Sequence, residues 1–171
     1  MRTVIASIVS LLIGIAGGSV FIINILGAKT VYYRQIANKH FNILFIFNHW
    51  LELLEEGRSI ELYFEENDYH TIAIYGMGYL GKHLLKELEK TDIEVKYLLD
   101  RQLGTVYGEI PVLSTSDVLK PVDVIVVTTV GEFYSIRKQL RERTSSKIIF
   151  VDEIFRWHLA DIKRKEKSEM N

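Results

Sequence analysis

The longest uncharged stretch of the chain covers residues 3–28 and reads TVIASIVSLLIGIAGGSVFIINILGA. A helix needs only about 20 apolar residues to cross the hydrocarbon core of a bilayer. Backbone polar groups find no water in that core, so a single spanning segment must be helical. The sequence therefore predicts a transmembrane helix over residues 1–28. A cleaved signal peptide and a buried helix remain as alternatives.

Basic residues are distributed unevenly around this segment. Arg2 precedes it, whereas Lys29, Arg34 and Lys39 follow it. Because basic residues are retained preferentially on the cytoplasmic side of a membrane, we expect a single-pass protein whose C-terminal part lies in the cytoplasm.

Glycines within the same segment bear on oligomerisation. Gly14 and Gly18 form a small-xxx-small pair, the spacing that lets two membrane helices pack closely. A homo-oligomer is therefore one interpretation, and chance occurrence of glycines in an apolar segment is the other.

Composition excludes several classes of function. The absence of cysteine rules out disulfides, thiolate metal sites and cysteine nucleophiles. A net charge of −1 without a dominant basic block argues against general nucleic-acid binding. The five histidines show no ligand spacing such as H-x-x-x-H, so no metal site is predicted.

A connecting amphipathic helix is predicted over residues 29–57, which contain no proline and end at Gly57. Its stretch 41–54 is unusually apolar but contains two asparagines, a histidine and a glutamate. It is too short and too polar for a second span. Packing against the following domain is the favoured interpretation, and contact with the membrane surface or with a partner protein remains open.

Strand-like and helix-like segments alternate after residue 58. Apolar runs at 71–75, 94–99, 124–129 and 147–151, with a shorter one at 110–113, predict strands, and residues 79–90, 116–120 and 132–143 predict helices. Such alternation indicates an α/β domain with an open parallel sheet of about five strands. We assign this domain to residues 58–160 and a charged tail to residues 161–171.

A glycine motif links the first predicted strand to the first predicted helix. In GMGYLG, Gly76 allows a tight turn, Gly78 lets a phosphate approach the backbone, and Gly81 lets the helix lie close to the strand. The helix N-terminus supplies N–H groups and partial positive charge for an anion. The alternative is that these glycines serve close packing alone.

Other candidate residues follow the predicted second and fourth strands. Asp100 is placed to accept hydrogen bonds from ribose hydroxyls, and Arg101 would soften its exclusion of a 2′-phosphate. Thr128 and Thr129 end the fourth run and would border the same crevice. Capping of a strand end by Asp100 is the alternative. The complete predicted nucleotide site is Gly76, Met77, Gly78, Tyr79, Leu80, Gly81, Asp100, Arg101, Thr128 and Thr129.

The sequence contains no recognisable catalytic constellation, so whether the protein is an enzyme stays open. Tyr134 and Lys138 have the Y-x-x-x-K spacing of short-chain dehydrogenases. They lie too close in sequence to the glycine motif, however, and lack the usual partner serine. A G-x-S-x-G nucleophile motif and a Walker lysine loop are both absent.

Five segments together resemble a known type of domain: IAIYGMGYLGKHLLKEL, YLLDR, YGEIPVLSTSDVL, VDVIVVTT and KIIFVDEI. They are similar to the Rossmann-like domain of bacterial surface-polysaccharide enzymes. Examples are the N-terminal sugar-nucleotide-binding domain of sugar acyltransferases and the short domain of membrane sugar-nucleotide dehydratases. The resemblance implies that Gly76, Gly78 and Gly81 face the nucleotide phosphates, Asp100 the ribose or base, and Thr129 the sugar side.

The resemblance also implies a location and a role. It suggests a protein of the bacterial plasma membrane that binds NAD or a nucleotide sugar as an accessory to capsule or surface-polysaccharide synthesis. The β-helix and catalytic domain that follow in those families have no counterpart here, so no activity is carried over. One alternative is an NAD-dependent oxidoreductase or epimerase. The other is a scaffold that binds no ligand and recruits a membrane glycosyltransferase.

Overall fold

The computed structural model describes residues 2–101 and 107–169. The chain divides into two compact units, Met1–Phe41 and Asn42–Asn171. The division falls inside one long helix, whereas the sequence predicts boundaries at residues 28/29 and 57/58.

The first element, α1 (Arg2–Glu55), is a single helix of 54 residues. It joins the predicted span and the predicted connecting helix without a break, because no proline interrupts it. Every side chain that the structure describes between Arg2 and Phe41 is exposed. The segment Gly14–Glu55 is long and apolar enough to cross a membrane.

The last turns of α1 belong to the second unit and pack in its core. Ile46, Trp50 and Leu53 recur on one face of the helix and are at most 5 % exposed. Of the three interpretations of residues 41–54, packing against the chain's own domain therefore describes this face. Gly57 ends the helix as predicted, with a positive φ of 65°.

The remaining helices and strands follow the predicted alternation, with two differences. In chain order they are α2 (Glu61–Glu66), β1 (Thr71–Tyr75), α3 (Tyr79–Leu88), β2 (Glu94–Leu99), β3 (Val112–Leu113), β4 (Val124–Val127), α4 (Phe133–Arg141), β5 (Lys147–Phe150) and α5 (Val151–Glu169).

The first difference concerns residues 116–120, which form no helix. The Asp117 carboxylate accepts the Ser114 N–H at 2.7 Å, and the Ser114 carbonyl accepts the Asp117 N–H at 3.1 Å. These bonds close a turn, and Pro121 follows it. The second difference concerns the predicted tail, because α5 continues through it as far as Glu169.

The five strands form one parallel sheet in the order β3-β2-β1-β4-β5. Strand side chains alternate between two cores: α1, α2, α3 and α5 cover one face, and α4 covers the other. The chain moves outward from β1 to β3 and then returns to β4 on the opposite side of β1. Strand order therefore reverses between β1 and β4, and ligands of open α/β sheets bind outside the carboxyl ends of such strands.

Candidate functional site

Gly76 occupies the turn at the carboxyl end of β1. Its φ of 94° lies in the region that favours glycine. A Cβ added there would collide with the Thr129 hydroxyl and would come within 3.2 Å of the Thr128 hydroxyl. Backbone conformation and packing therefore both require glycine at this position.

Gly81 lies in the first turn of α3, directly against the Gly76 turn. A Cβ at Gly81 would collide with the Gly76 carbonyl oxygen and would lie 3.1 Å from the Thr128 hydroxyl. Its hydrogen side chain thus lets α3 approach the end of β1, as the motif predicts.

Gly78, the N-cap of α3, differs from the other two glycines. Its backbone is extended, with φ −72° and ψ −160°, and a Cβ built on it would meet no atom within 4 Å. Neither a positive φ nor neighbouring atoms require glycine here. The first intrahelical bond runs from the Lys82 N–H to the Gly78 carbonyl at 3.0 Å. The N–H groups of residues 79–81 precede that bond and have no acceptor within the helix.

The residues between the glycines contribute mainly to the fold. Met77 and Leu80 are 5 % and 3 % exposed and belong to the core. Tyr79 is 79 % exposed. A ligand at this turn would therefore contact backbone atoms and the Tyr79 side chain, rather than the Met77 and Leu80 side chains.

Asp100 follows β2 and reaches the glycine turn. Its Oδ2 accepts the Met77 N–H at 2.6 Å. The carboxylate therefore fixes the turn directly, a role that the sequence did not predict. Since a carboxylate offers about four acceptor sites, this bond is compatible with additional bonds to ribose hydroxyls.

Arg101 forms an ion pair with Glu132, whose carboxylate lies at the start of α4, at 2.5 Å. The pair connects the end of β2 to the segment after β4. The hydrogen bond to Glu132 raises the pKa of Arg101 above its usual range. The guanidinium is thus charged, and its charge is opposed by a neighbouring carboxylate.

Thr128 and Thr129 follow β4 and lie beside the Gly76 turn. The buried Thr128 hydroxyl donates toward the carbonyls of Tyr75 and Gly76 at 3.1 and 2.5 Å, so its proton is used within the protein. The half-buried Thr129 carries its hydroxyl against Gly76. Of the two predicted residues, Thr128 is buried and Thr129 is partly exposed.

A neighbouring pocket was missed by sequence reasoning. It has a volume of about 300 Å³ and lies at the carboxyl ends of β4 and β5. Its wall includes Phe45 from α1 and Asp152 from α5, which are more than 100 residues apart in the chain. No local sequence pattern connects such distant residues. Tyr134 also borders this pocket, but its side chain is 83 % exposed on α4.

Within residues 2–101 and 107–169, no group of three or more His, Asp or Glu side chains is arranged to hold a metal ion. No protein-family model, curated protein or solved structure matches the chain.

Proposed function

We propose that the α/β unit is a Rossmann-like module that binds the diphosphate of a nucleotide sugar or of NAD at the turn formed by residues 76–81. The observation that carries this proposal is the open space at Gly78. Gly76 and Gly81 are explained by the fold, whereas Gly78 is explained by a ligand that approaches the backbone closely.

The strand order supports the same assignment. The order 3-2-1-4-5 is that of the first five strands of dinucleotide-binding sheets, in which the pyrophosphate lies at the N-terminus of the helix after the first strand. The glycine turn precedes the corresponding helix, α3. Its N–H groups and helix dipole favour an anion.

Asp100 favours particular nucleotides. Its carboxylate lies 2.6 Å from the Met77 nitrogen, next to the proposed phosphate position. A carboxylate there accepts bonds from ribose hydroxyls and repels a 2′-phosphate. Arg101, whose guanidinium pairs with Glu132, offsets this repulsion only weakly. We therefore expect NAD to bind more tightly than NADP.

In this proposal α1 anchors the module to the bacterial plasma membrane, with the second unit in the cytoplasm. The module acts as an accessory protein in capsule or surface-polysaccharide synthesis and presents its ligand to a membrane glycosyltransferase. An oxidoreductase would require a proton-transfer group beside the ligand. The sequence candidate, Tyr134, points largely to solvent, so we propose no redox reaction.

Calorimetry on the full chain in detergent micelles tests the binding site. We expect UDP-sugars or NAD to bind, and the Gly78→Glu variant to weaken binding at least tenfold because its carboxylate would fill the open space. Val118→Glu is the matched control: it introduces the same side chain at an 89 % exposed position in the connection before β4.

Two results would contradict the proposal. One is the absence of binding by all these ligands at millimolar concentration. The other is equal weakening by both glutamate variants. Either result would favour the scaffold that binds no nucleotide.

A further inference from the structure

The pocket at the carboxyl ends of β4 and β5 adjoins the glycine turn. Val130 and Gly131 line it and directly follow Thr129, whose hydroxyl contacts Gly76. Since an extended chain advances at most about 3.6 Å per residue, Gly131 lies within roughly 7 Å of Thr129. A group attached to a phosphate at the glycine turn would therefore reach this pocket.

Aromatic rings form much of the pocket wall. Phe133 and Phe150 have ring centroids 5.5 Å apart at an interplanar angle of 43°, and Phe45 contributes a third ring from α1. Tilted rings present separate faces to the space between them. Such faces suit the flat apolar side of a small ring.

A buried carboxylate supplies polarity in the same wall. Asp152 is 5 % exposed, and its two oxygens contact His49 Nδ1 at 3.2 Å and Arg156 Nε at 2.6 Å. Burial of a carboxylate is costly unless it is paired, and these contacts hold it in place. The Arg156 side chain is 70 % exposed and carries further N–H donors. The pocket thus offers an acceptor and a donor side by side.

Volume limits what can enter. About 300 Å³ is at the lower end of the range for small-molecule sites. Such a space suits a single ring rather than a whole nucleotide. Hydroxyl groups both donate and accept hydrogen bonds, so a polyhydroxylated ring matches a wall that combines Asp152, Arg156 and aromatic faces.

We propose that this pocket binds the glycosyl ring of a nucleoside diphosphate sugar. The inference rests on the proposed function, which places the diphosphate at the glycine turn, and it assigns the sugar rather than NAD as the preferred ligand. Part of the sugar site then comes from α1 through Phe45.

The test compares matched pairs of probes on the full chain in micelles, with NAD as a further probe: UDP with UDP-glucose, GDP with GDP-mannose, and dTDP with dTDP-glucose. We expect at least one sugar ester to bind at least tenfold more tightly than its diphosphate. Arg156→Ala and Phe45→Ala should each remove most of this difference and leave the affinity for the diphosphate unchanged. Arg164→Ala and Phe41→Ala are the controls, because they remove exposed side chains of the same kind from the same helices.

The possible failures are distinguishable. Diphosphates that bind as tightly as their sugar esters would overturn the sugar pocket and leave the nucleotide site standing. Preferential binding of NAD, with loss of that preference in the pocket variants, would overturn the sugar assignment in favour of nicotinamide riboside. Absence of binding by every probe would overturn both proposals.

Discussion

Gly76, Gly78 and Gly81 belong to one motif, yet their surroundings differ. Gly81 faces a backbone carbonyl that cannot move independently of β1, whereas Gly78 faces open space. We therefore expect Gly81→Ala to lower the free energy of unfolding by about 1–3 kcal/mol, the usual range for overpacking. Gly78→Ala should lower it by less than about 1 kcal/mol, a cost typical of alanine at an N-cap.

Both variants can be compared by chemical denaturation in micelles, followed by the fluorescence of Trp50 and Trp157. These are the only tryptophans of the chain, and both belong to the second unit. Equal destabilisation by the two alanines would show that the open space at Gly78 is needed for folding. That result would remove the main support for a ligand at this position.

The buried side chain of His158 on α5 should make the stability of the protein depend on pH. Its side chain is fully buried, and neither ring nitrogen has a hydrogen-bond partner in the part of the chain that the structure describes. Burial, together with the nearby Arg58 charge, lowers the pKa of His158 from 6.5 to about 4. The ring is therefore neutral in the folded protein at neutral pH.

Because the pKa of His158 is lower in the folded protein than in the unfolded chain, the free energy of unfolding depends on pH. Below about pH 6.5 the unfolded chain takes up a proton at His158 and the folded chain does not, so acid favours unfolding. At 1.36 kcal/mol per pKa unit, the free energy of unfolding should fall by about 2 kcal/mol when the pH is lowered from 7 to 5. Denaturation curves of His158→Leu should show a correspondingly smaller change over that interval. An unchanged pH slope would contradict the assignment.

At the scale of elements, the end of α1 is part of the folded core. Leu53 and Leu54 are neighbours on this helix, but Leu53 is 0 % exposed and Leu54 is 48 % exposed. We expect Leu53→Ala to lower the free energy of unfolding by about 2–5 kcal/mol because it leaves a cavity. Leu54→Ala should cost less than about 1 kcal/mol, and it serves as the matched control in the same denaturation experiment. Similar costs for the two variants would contradict the packing of α1 against the sheet.

The same packing predicts the behaviour of a truncated protein. Removal of residues 1–57 also removes Ile46, Trp50 and Leu53 from the core. We expect a 58–171 fragment to show no cooperative unfolding transition, whereas a 42–171 fragment should retain one. A cooperative transition in the shorter fragment would mean that the end of α1 contributes little to stability.

Local sequence pattern predicted those elements whose cause is local. Runs of β-branched and apolar residues located all five strands, and the glycine motif located the turn before α3. Residues 116–120 had enough apolar positions for a helix, but hydrogen bonds between Ser114 and Asp117 closed a turn instead. Residues 161–169 continue α5, but they are mostly charged or polar. Their sequence therefore lacks the apolar periodicity that would predict a helix.

In the candidate site, too, features with a local cause could be predicted from the sequence and the others could not. The positions of the three glycines could be predicted because the motif is contiguous. The bond from Met77 to Asp100 could not, since it depends on how β1 and β2 align. Nor could the pocket beside Asp152, because its wall combines residues of α1, α4 and α5 that are far apart in the sequence.

For the whole molecule, the decisive property is the exposed apolar surface of α1. Phe21 and Ile23 are 66 % and 67 % exposed, and every other side chain described in Arg2–Phe41 is exposed as well. A helix that is apolar on all sides is stable when lipid or protein covers it. The proposed span over residues 3–28 would cover this surface, and the basic residues that follow the segment agree with that proposal.

Charge substitution within α1 tests this inference. An aspartate near the centre of a spanning helix costs about 2.5–3.5 kcal/mol on the insertion scale. The double variant Ile15→Asp and Ile22→Asp should therefore shift the expressed protein from the membrane fraction to the soluble or aggregated fraction after carbonate extraction of bacterial cells. The control, Gln35→Asp and Asn38→Asp, places the same charges beyond residue 28 and should remain in the membrane fraction. Equal extraction of the two double variants would contradict the span.

Because the basic flank predicts a cytoplasmic second unit, an external protease should spare that unit in intact spheroplasts and degrade it after lysis. Digestion before lysis would reverse the predicted orientation.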